Sequence, residues 1–155
     1  MKSIIALSGL VALVGCASIT NDSSHPLKIE TRTAAGVEIK GADCKVINDY
    51  GDRTSKSGDT TQVRRSSKDL DINCTSAGQP DAQGRAISRA NGGMFGNIIF
   101  GGGIGAIIDH NKGTAYTYPT WVQLVFGQTL VFDRRDEKDG SPVVGKTPEA
   151  VAAQK

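Results

Sequence analysis

Histidine, aromatic side chains and long apolar runs are all scarce in this chain, and each scarcity excludes something. Among 155 residues there are only 2 His and 1 Trp, and aromatics make up 5%. A serine nucleophile needs a His oriented by a carboxylate, and no Gly-x-Ser-x-Gly elbow occurs. His25 stands beside Pro26 in a small polar stretch, where catalytic geometry is hard to hold. His110 stands in Asp109-His110-Asn111-Lys112-Gly113, a pattern of turn chemistry in which Asp caps backbone N–H groups and Gly closes the turn. Acidic residues fall mostly in turns or near the C-terminus, positions suited to solvation rather than to the paired carboxylates of glycoside hydrolysis. The chain is therefore read as non-enzymatic, with no catalytic residue, cofactor or metal assigned. An excess of charge of one sign is also missing. Lys and Arg total 18 against 16 Asp and Glu, a net +2. That balance gives no electrostatic footprint for nucleic acid. The basic clusters are short, and Arg134-Arg135 is flanked by Asp133, Asp136 and Glu137. No run reaches the ~20 apolar residues of a transmembrane helix.

What is present begins at the N-terminus. Met1-Lys2-Ser3 is a short basic region, followed by an apolar run from Ile4 to Val14. That run has the length of a signal-peptide hydrophobic region and is too short for a ~30 Å bilayer core. It ends in Leu13-Val14-Gly15-Cys16, which resembles the lipobox of bacterial lipoproteins. The resemblance implies cleavage before Cys16, a diacylglycerol group on its thiol and an acyl chain such as palmitate on the new amine. Three chains at roughly 0.8 kcal/mol per buried CH₂ hold a protein on a membrane essentially permanently. An ordinary secretory signal or an N-terminal core helix leaves the four-residue match unexplained. Ala17-Ser18, with no Asp after the Cys, implies an outer-membrane anchor facing the periplasm, with surface exposure left open. The expected organisation is a signal peptide over 1–15, a lipidated tether over 16–26, a domain over 27–132 and a flexible tail over 133–155.

From Leu27 the pattern alternates with period two. Leu27, Ile29 and Thr31 interleave with Lys28, Glu30 and Arg32, the mark of a half-buried strand. Ala42, Cys44 and Val46 share one strand face, as do Leu70, Ile72 and Cys74. Arg53 to Ser57 reads as a polar edge strand, and Thr61, Val63 and Arg65 alternate again. Ala77 to Gly84 reads as a loop and Arg85 to Ala90 as a strand. Strands are also expected over Ala115–Pro119, Trp121–Phe126 and Thr129–Phe132. Short strands at this spacing, separated by Gly, Asn and Asp turns, point to a mainly β fold: a small antiparallel β-sandwich. With Cys16 assigned to lipid, Cys44 and Cys74 remain as either a bridge between neighbouring strands or two buried thiols; without nearby His they lack zinc-site spacing.

Between Gly92 and Ile108 lies a glycine-rich apolar segment. No Lys-Ser or Lys-Thr follows its glycines as a phosphate loop requires, and Lys112 comes too late. Met94 to Ile108 is short for a membrane span. Gly101 and Gly105 form a GxxxG pair, which permits close helix packing or membrane contact. The reading adopted is an apolar loop or short helical insertion against the sandwich, with Gly needed for close approach or positive φ; self-association is compatible with it. Tyr116, Tyr118 and Trp121 are the one aromatic cluster. They form either a binding ledge for sugar or protein or, the preferred reading, part of the core.

Cys44-Lys45-Val46-x-Asn48-Asp49-x-Gly51, Val63-x-Arg65-Ser66 and Asp69-Leu70-x-Ile72-x-Cys74 resemble a pattern in small proteobacterial lipoproteins with a PEGA-like β-sandwich. Gly96-Asn97-Ile98-Ile99-x-Gly101-Gly102-x-Ile104-Gly105, continuing to Tyr116-x-Tyr118-Pro119, is similar to their second block. Gly58-Asp59 stands where that group often has Pro-Gly. The resemblance implies a Cys44–Cys74 disulfide and little about activity. The expected role is structural or interactive, for an envelope protein anchored in the membrane by its N-terminal lipid, with a protein partner or a second copy as possible company. The alternatives are an envelope inhibitor or phage-exclusion factor that captures a protein with its loops, and an oligomerising or membrane-associating glycine-zipper protein.

Overall fold

The computed structural model describes residues 23–90 and 114–153. The expected leader, Cys16 and the glycine-rich segment with Gly101 and Gly105 lie outside the described residues.

The first strand, β1 (Ser24–Arg32), begins earlier than the alternation from Leu27 suggests. His25, Leu27, Ile29 and Thr31 are all buried. The expected tether over 16–26 therefore ends sooner, and Ser24, His25 and Pro26 belong to the fold. Pro26 is tolerated because of where its missing N–H would point. The Lys28 N–H donates to the Thr120 carbonyl, so Pro26, two residues earlier, faces the same side below the start of that pairing and interrupts no ladder.

Two five-stranded sheets carry the fold. In sheet I, β1 is central. One edge pairs in parallel with β10 (Trp121–Val125), and β12 (Val143–Val144) lies beyond β10. The other edge of β1 pairs antiparallel with β5 (Thr60–Arg64) along its first half and with β2 (Glu38–Ile39) at its end. Sheet II runs β11 (Thr129–Phe132), β7 (Ala82–Ala86), β6 (Leu70–Thr75), β3 (Asp43–Asn48) and β4 (Gly51–Lys56). A small ribbon, β8 (Arg89–Ala90) with β9 (Tyr116–Thr117), stands apart. The polar edge strand is present as β4, which passes through Gly58 (φ 98°) into β5 and so crosses from sheet II to sheet I. The chain crosses again between β10 and β11 at Gly127 (φ 82°).

The core is what the alternation selects. Leu27, Ile29, Val63, Val122 and Leu124 of sheet I face Cys44, Val46, Leu70, Ile72, Leu130 and Phe132 of sheet II. The sheets approach closely over Gly84, where a Cβ would stand 2.9 Å from Phe132 and 3.3 Å from Leu124.

Three expectations are corrected. The sheets are mixed, because β1–β10, β10–β12 and β7–β11 pair in parallel. Alternation reports which side chains face inward, not which way the neighbouring strand runs. Strand β7 begins at Ala82, inside the expected loop; its Ala and Gly bury a face too small to register as apolar. Residues 133–153 are structured instead of forming a loose tail. Asp133 caps a 3₁₀ turn over Arg134–Asp136, and Val143 of β12 is buried. Lys146 exchanges two backbone hydrogen bonds with Val131 of β11 (2.8 and 2.9 Å), closing that edge between the sheets before a short helix α1, Pro148–Ala152. Strands this short leave no periodicity to read.

Candidate functional site

Cys44 and Cys74 sit directly opposite each other on β3 and β6 and form a disulfide. They are 2% and 0% exposed, so the bridge is a core element out of reach of a reacting partner.

A buried polar cluster collects at the end of the sandwich where β1 starts. His25 is 3% exposed. Its Nε2 lies 3.3 Å from the Pro119 carbonyl oxygen, which can only accept, so Nε2 carries the proton. Nδ1 then accepts from the Thr117 hydroxyl at 3.0 Å. Burial foremost, aided by the positive charge of Arg65, lowers the His25 pKa to about 4, against an opposing pull from the Pro119 hydrogen bond. The imidazole is neutral near pH 7, shielded and held by a hydroxyl and a carbonyl. This arrangement clamps the root of β1 to residues 117–119. Sequence reasoning placed His25 in the tether; extending the alternation 27, 29, 31 back by one step would have found it. Among the described residues no cluster of His, Cys, Asp and Glu is arranged to hold a metal ion.

Tyr118 continues the cluster. It is fully buried, its hydroxyl donates to the Lys68 carbonyl at 2.8 Å and accepts from Asn48 Nδ2 at 3.3 Å, and burial raises its pKa. Asn48 Nδ2 also donates to the Arg64 carbonyl at 2.8 Å. Ser66, also buried, donates to the Asp49 carboxylate and accepts from the Lys68 N–H at 2.9 Å. The Ser88 hydroxyl donates to the Ser66 carbonyl at 2.6 Å. These bonds tie the β3–β4 turn and the 65–69 loop to one another.

The three expected ledge residues do not assemble into one surface. Tyr118 is in the core, as the preferred reading had it. Tyr116 is half-buried in β9, which ends at Thr117, so the two tyrosines do not share a strand. Trp121 is half-buried opposite Lys28 of β1, whose Nζ lies 4.0 Å from its ring centroid. Lys28 is also paired with Glu30 at 2.9 Å.

Two of the surface concavities among the described residues adjoin these elements. A groove of about 500 Å³ crosses the outer face of sheet II, floored by Ile47, Asp71, Arg85 and Val131 and walled by Pro148 of α1. Arg85 and Asp71 are paired across it at 3.0 Å. A second cleft of about 510 Å³ opens at the root of β1 and is lined by Ser23, Ser24, Arg53, Thr54, Thr61, Gln62 and Arg64. No local sequence pattern announces it, since Arg53 and Arg64 reach one cleft only through the β4–β5 corner. Compared with protein-family models, curated proteins and solved structures, the chain matches none of them.

Proposed function

We propose that this chain is an envelope lipoprotein, anchored through Cys16, whose disulfide-stapled sandwich has a non-enzymatic interaction role. The observation that carries the reading is Leu13-Val14-Gly15-Cys16 at the end of a short apolar run. The Cys44–Cys74 bridge supports it, because such bridges persist in oxidising compartments such as the periplasm. The position of β1 also supports it. Residues 17–23 alone separate Cys16 from the domain, a reach of about 25 Å when fully extended. A lipid on Cys16 would hold the sandwich close against a membrane. His25 is committed to Thr117 and Pro119, which favours a structural use of the one described imidazole. Ala17-Ser18 favours the outer membrane as destination.

Globomycin, which blocks the lipoprotein signal peptidase, should make a precursor accumulate. Mass spectrometry of the processed protein should find Cys16 at the N-terminus with its thiol and amine acylated. Processing that globomycin leaves untouched would sink the reading. The groove over sheet II favours one form of interaction, capture of an envelope protein on the face walled by Pro148. A stoichiometric partner released by Arg85→Glu would support that form.

A further inference from the structure

We infer that the cleft at the root of β1 binds the anionic phosphate of a membrane lipid headgroup. The inference rests on the proposed anchor for the source of the phosphate, and on the cleft alone for the chemistry.

The lining residues are donors. Arg53 and Arg64 supply guanidinium N–H groups, Ser23, Ser24, Thr54 and Thr61 supply hydroxyls, and Gln62 supplies an amide. No acidic side chain among the described residues lines the cleft. That sets it apart from most of the other basic groups of the described surface, although Arg32, Lys68, Arg135 and Lys138 also form no salt bridge. Arg85 is paired with Asp71, Arg89 with Asp133 and Arg134 with Glu137, and Lys28, Lys40, Lys45, Lys56 and Lys146 each have a carboxylate partner. Among the described residues neither Arg53 nor Arg64 has one.

The fold also places these two arginines at one cleft. Arg64 pairs with Ser24 in the β1–β5 ladder, so it emerges beside the first residue of the domain. Its guanidinium carbon lies 4.2 Å from the centroid of Tyr50, a residue 43% exposed. Stacking on an aromatic ring orients a guanidinium plane and leaves its N–H edge open for an oxyanion. Arg53 projects from the edge strand β4 on the same side as Val46, where the inner face of sheet II opens toward β5. Arg65 donates to the Ser24 and Tyr116 carbonyls at 3.1 and 3.0 Å and so braces the start of β1.

The placement matches the ligand. Ser24 opens β1, the strand nearest Cys16 in sequence among the described residues, so the cleft lies at the end of the sandwich that the proposed anchor would draw to the membrane. A basic side chain at an anionic surface contributes about a fivefold gain in affinity, and two contribute about 30-fold.

The test uses the protein purified from membranes and reconstituted in vesicles. Phenylglyoxal modifies free arginines, and peptide mass spectrometry reads each site. In vesicles containing phosphatidylglycerol, Arg53 and Arg64 should react about fivefold more slowly than in phosphatidylcholine vesicles. A third arm adds inorganic phosphate to phosphatidylcholine vesicles. Equal protection there keeps the phosphate site and assigns it to a free anion; protection by phosphatidylglycerol alone assigns it to the headgroup. Asp22→Asn, run in parallel, removes the one acidic residue of the linker and should leave protection intact or strengthen it. Arg53→Gln should expose Arg64 again, because the two share one anion. Equal reactivity in all three arms overturns the proposal. So does protection of Arg64 that Arg53→Gln leaves unchanged, since that is mere proximity to a charged surface. If mass spectrometry shows Cys16 without lipid, the anchor reading fails separately, and the phosphate arm on the unanchored protein still decides the cleft.

Discussion

Removing the Cys44–Cys74 bridge should cost a large share of the stability of the domain, and the structure says how much. The two residues are 30 apart in sequence. In the chain-entropy model, cross-linking a loop of that length removes about 3–4 kcal/mol of freedom from the unfolded chain. Domains of this size are stable by roughly 5–15 kcal/mol, so the bridge accounts for about a fifth or more of the total. Substitution adds a second cost, because both sulfurs stand in the core at 2% and 0% exposure. Each Cys→Ala change leaves a small void worth about 1 kcal/mol. Urea unfolding of the native and the reduced protein isolates the entropic part; Cys44→Ala with Cys74→Ala measures both parts together, about 5–6 kcal/mol. The single variant Cys44→Ala should lie within about 1 kcal/mol of the double one, since the first substitution already opens the loop. The strands β3 and β6 remain paired through Asp43–Thr75, Lys45–Asn73 and Val46–Ile72 in the folded state, so the fold itself should persist. A loss below about 1 kcal/mol on reduction would refute the reasoning, because it would mean the unfolded chain already holds these residues together.

The burial of His25 predicts a pH dependence of known sign. Its folded pKa of about 4 lies below the ordinary 6.5, so the unfolded chain binds the extra proton between those values. Its contribution is complete above pH 6.5, falls as pH drops toward 4 and is flat below; about 3 kcal/mol is at stake, and His25→Gln should flatten urea midpoints between pH 7 and 5. A variant with the slope of the original chain would show that another group titrates there. Gly145→Ala tests the closure of the sandwich by the C-terminal segment. The added Cβ would fall 2.6 Å from Leu130 Cβ and 2.8 Å from Phe132, an overpacking cost of about 1–3 kcal/mol, and thermal unfolding indistinguishable from the original would refute that contact.

Much of the sandwich was legible because one rule generated it. Alternation at Leu27, Ile29 and Thr31, at Cys44 and Val46, and at Leu70, Ile72 and Cys74 assigns inward faces correctly, and the bridge follows from two inward cysteines in matching register. The rule is silent on strand direction, so three parallel pairings were missed. It is silent too where side chains are small, as along Ala82, Gly84 and Ala86, and where strands are as short as Val143–Val144. The clefts were illegible for a different reason. Arg53 and Arg64 are separated by a strand crossing between sheets, and no local pattern encodes what that crossing brings together.

The correction at His25 bears on function as well as on fold. A tether over 16–26 would let the domain range freely above a membrane and would make its orientation unimportant. With β1 starting at Ser24 and the imidazole of His25 bound to Thr117 and Pro119, the first strand begins closer to Cys16. If Cys16 carries the proposed lipid, a linker of residues 17–23 would limit both height and tilt, since its attachment point is fixed at one end of sheet I. The side chains around that point are therefore the ones a lipid anchor would bring to the surface most often. They are Arg53 and Arg64, with Tyr50 beside them, whereas most of the other basic groups on the described surface are matched by carboxylates. The buried histidine, held by Thr117 and Pro119, thus matters chiefly through what it fixes: the root of β1, and with it the face that a lipid on Cys16 would turn to a membrane.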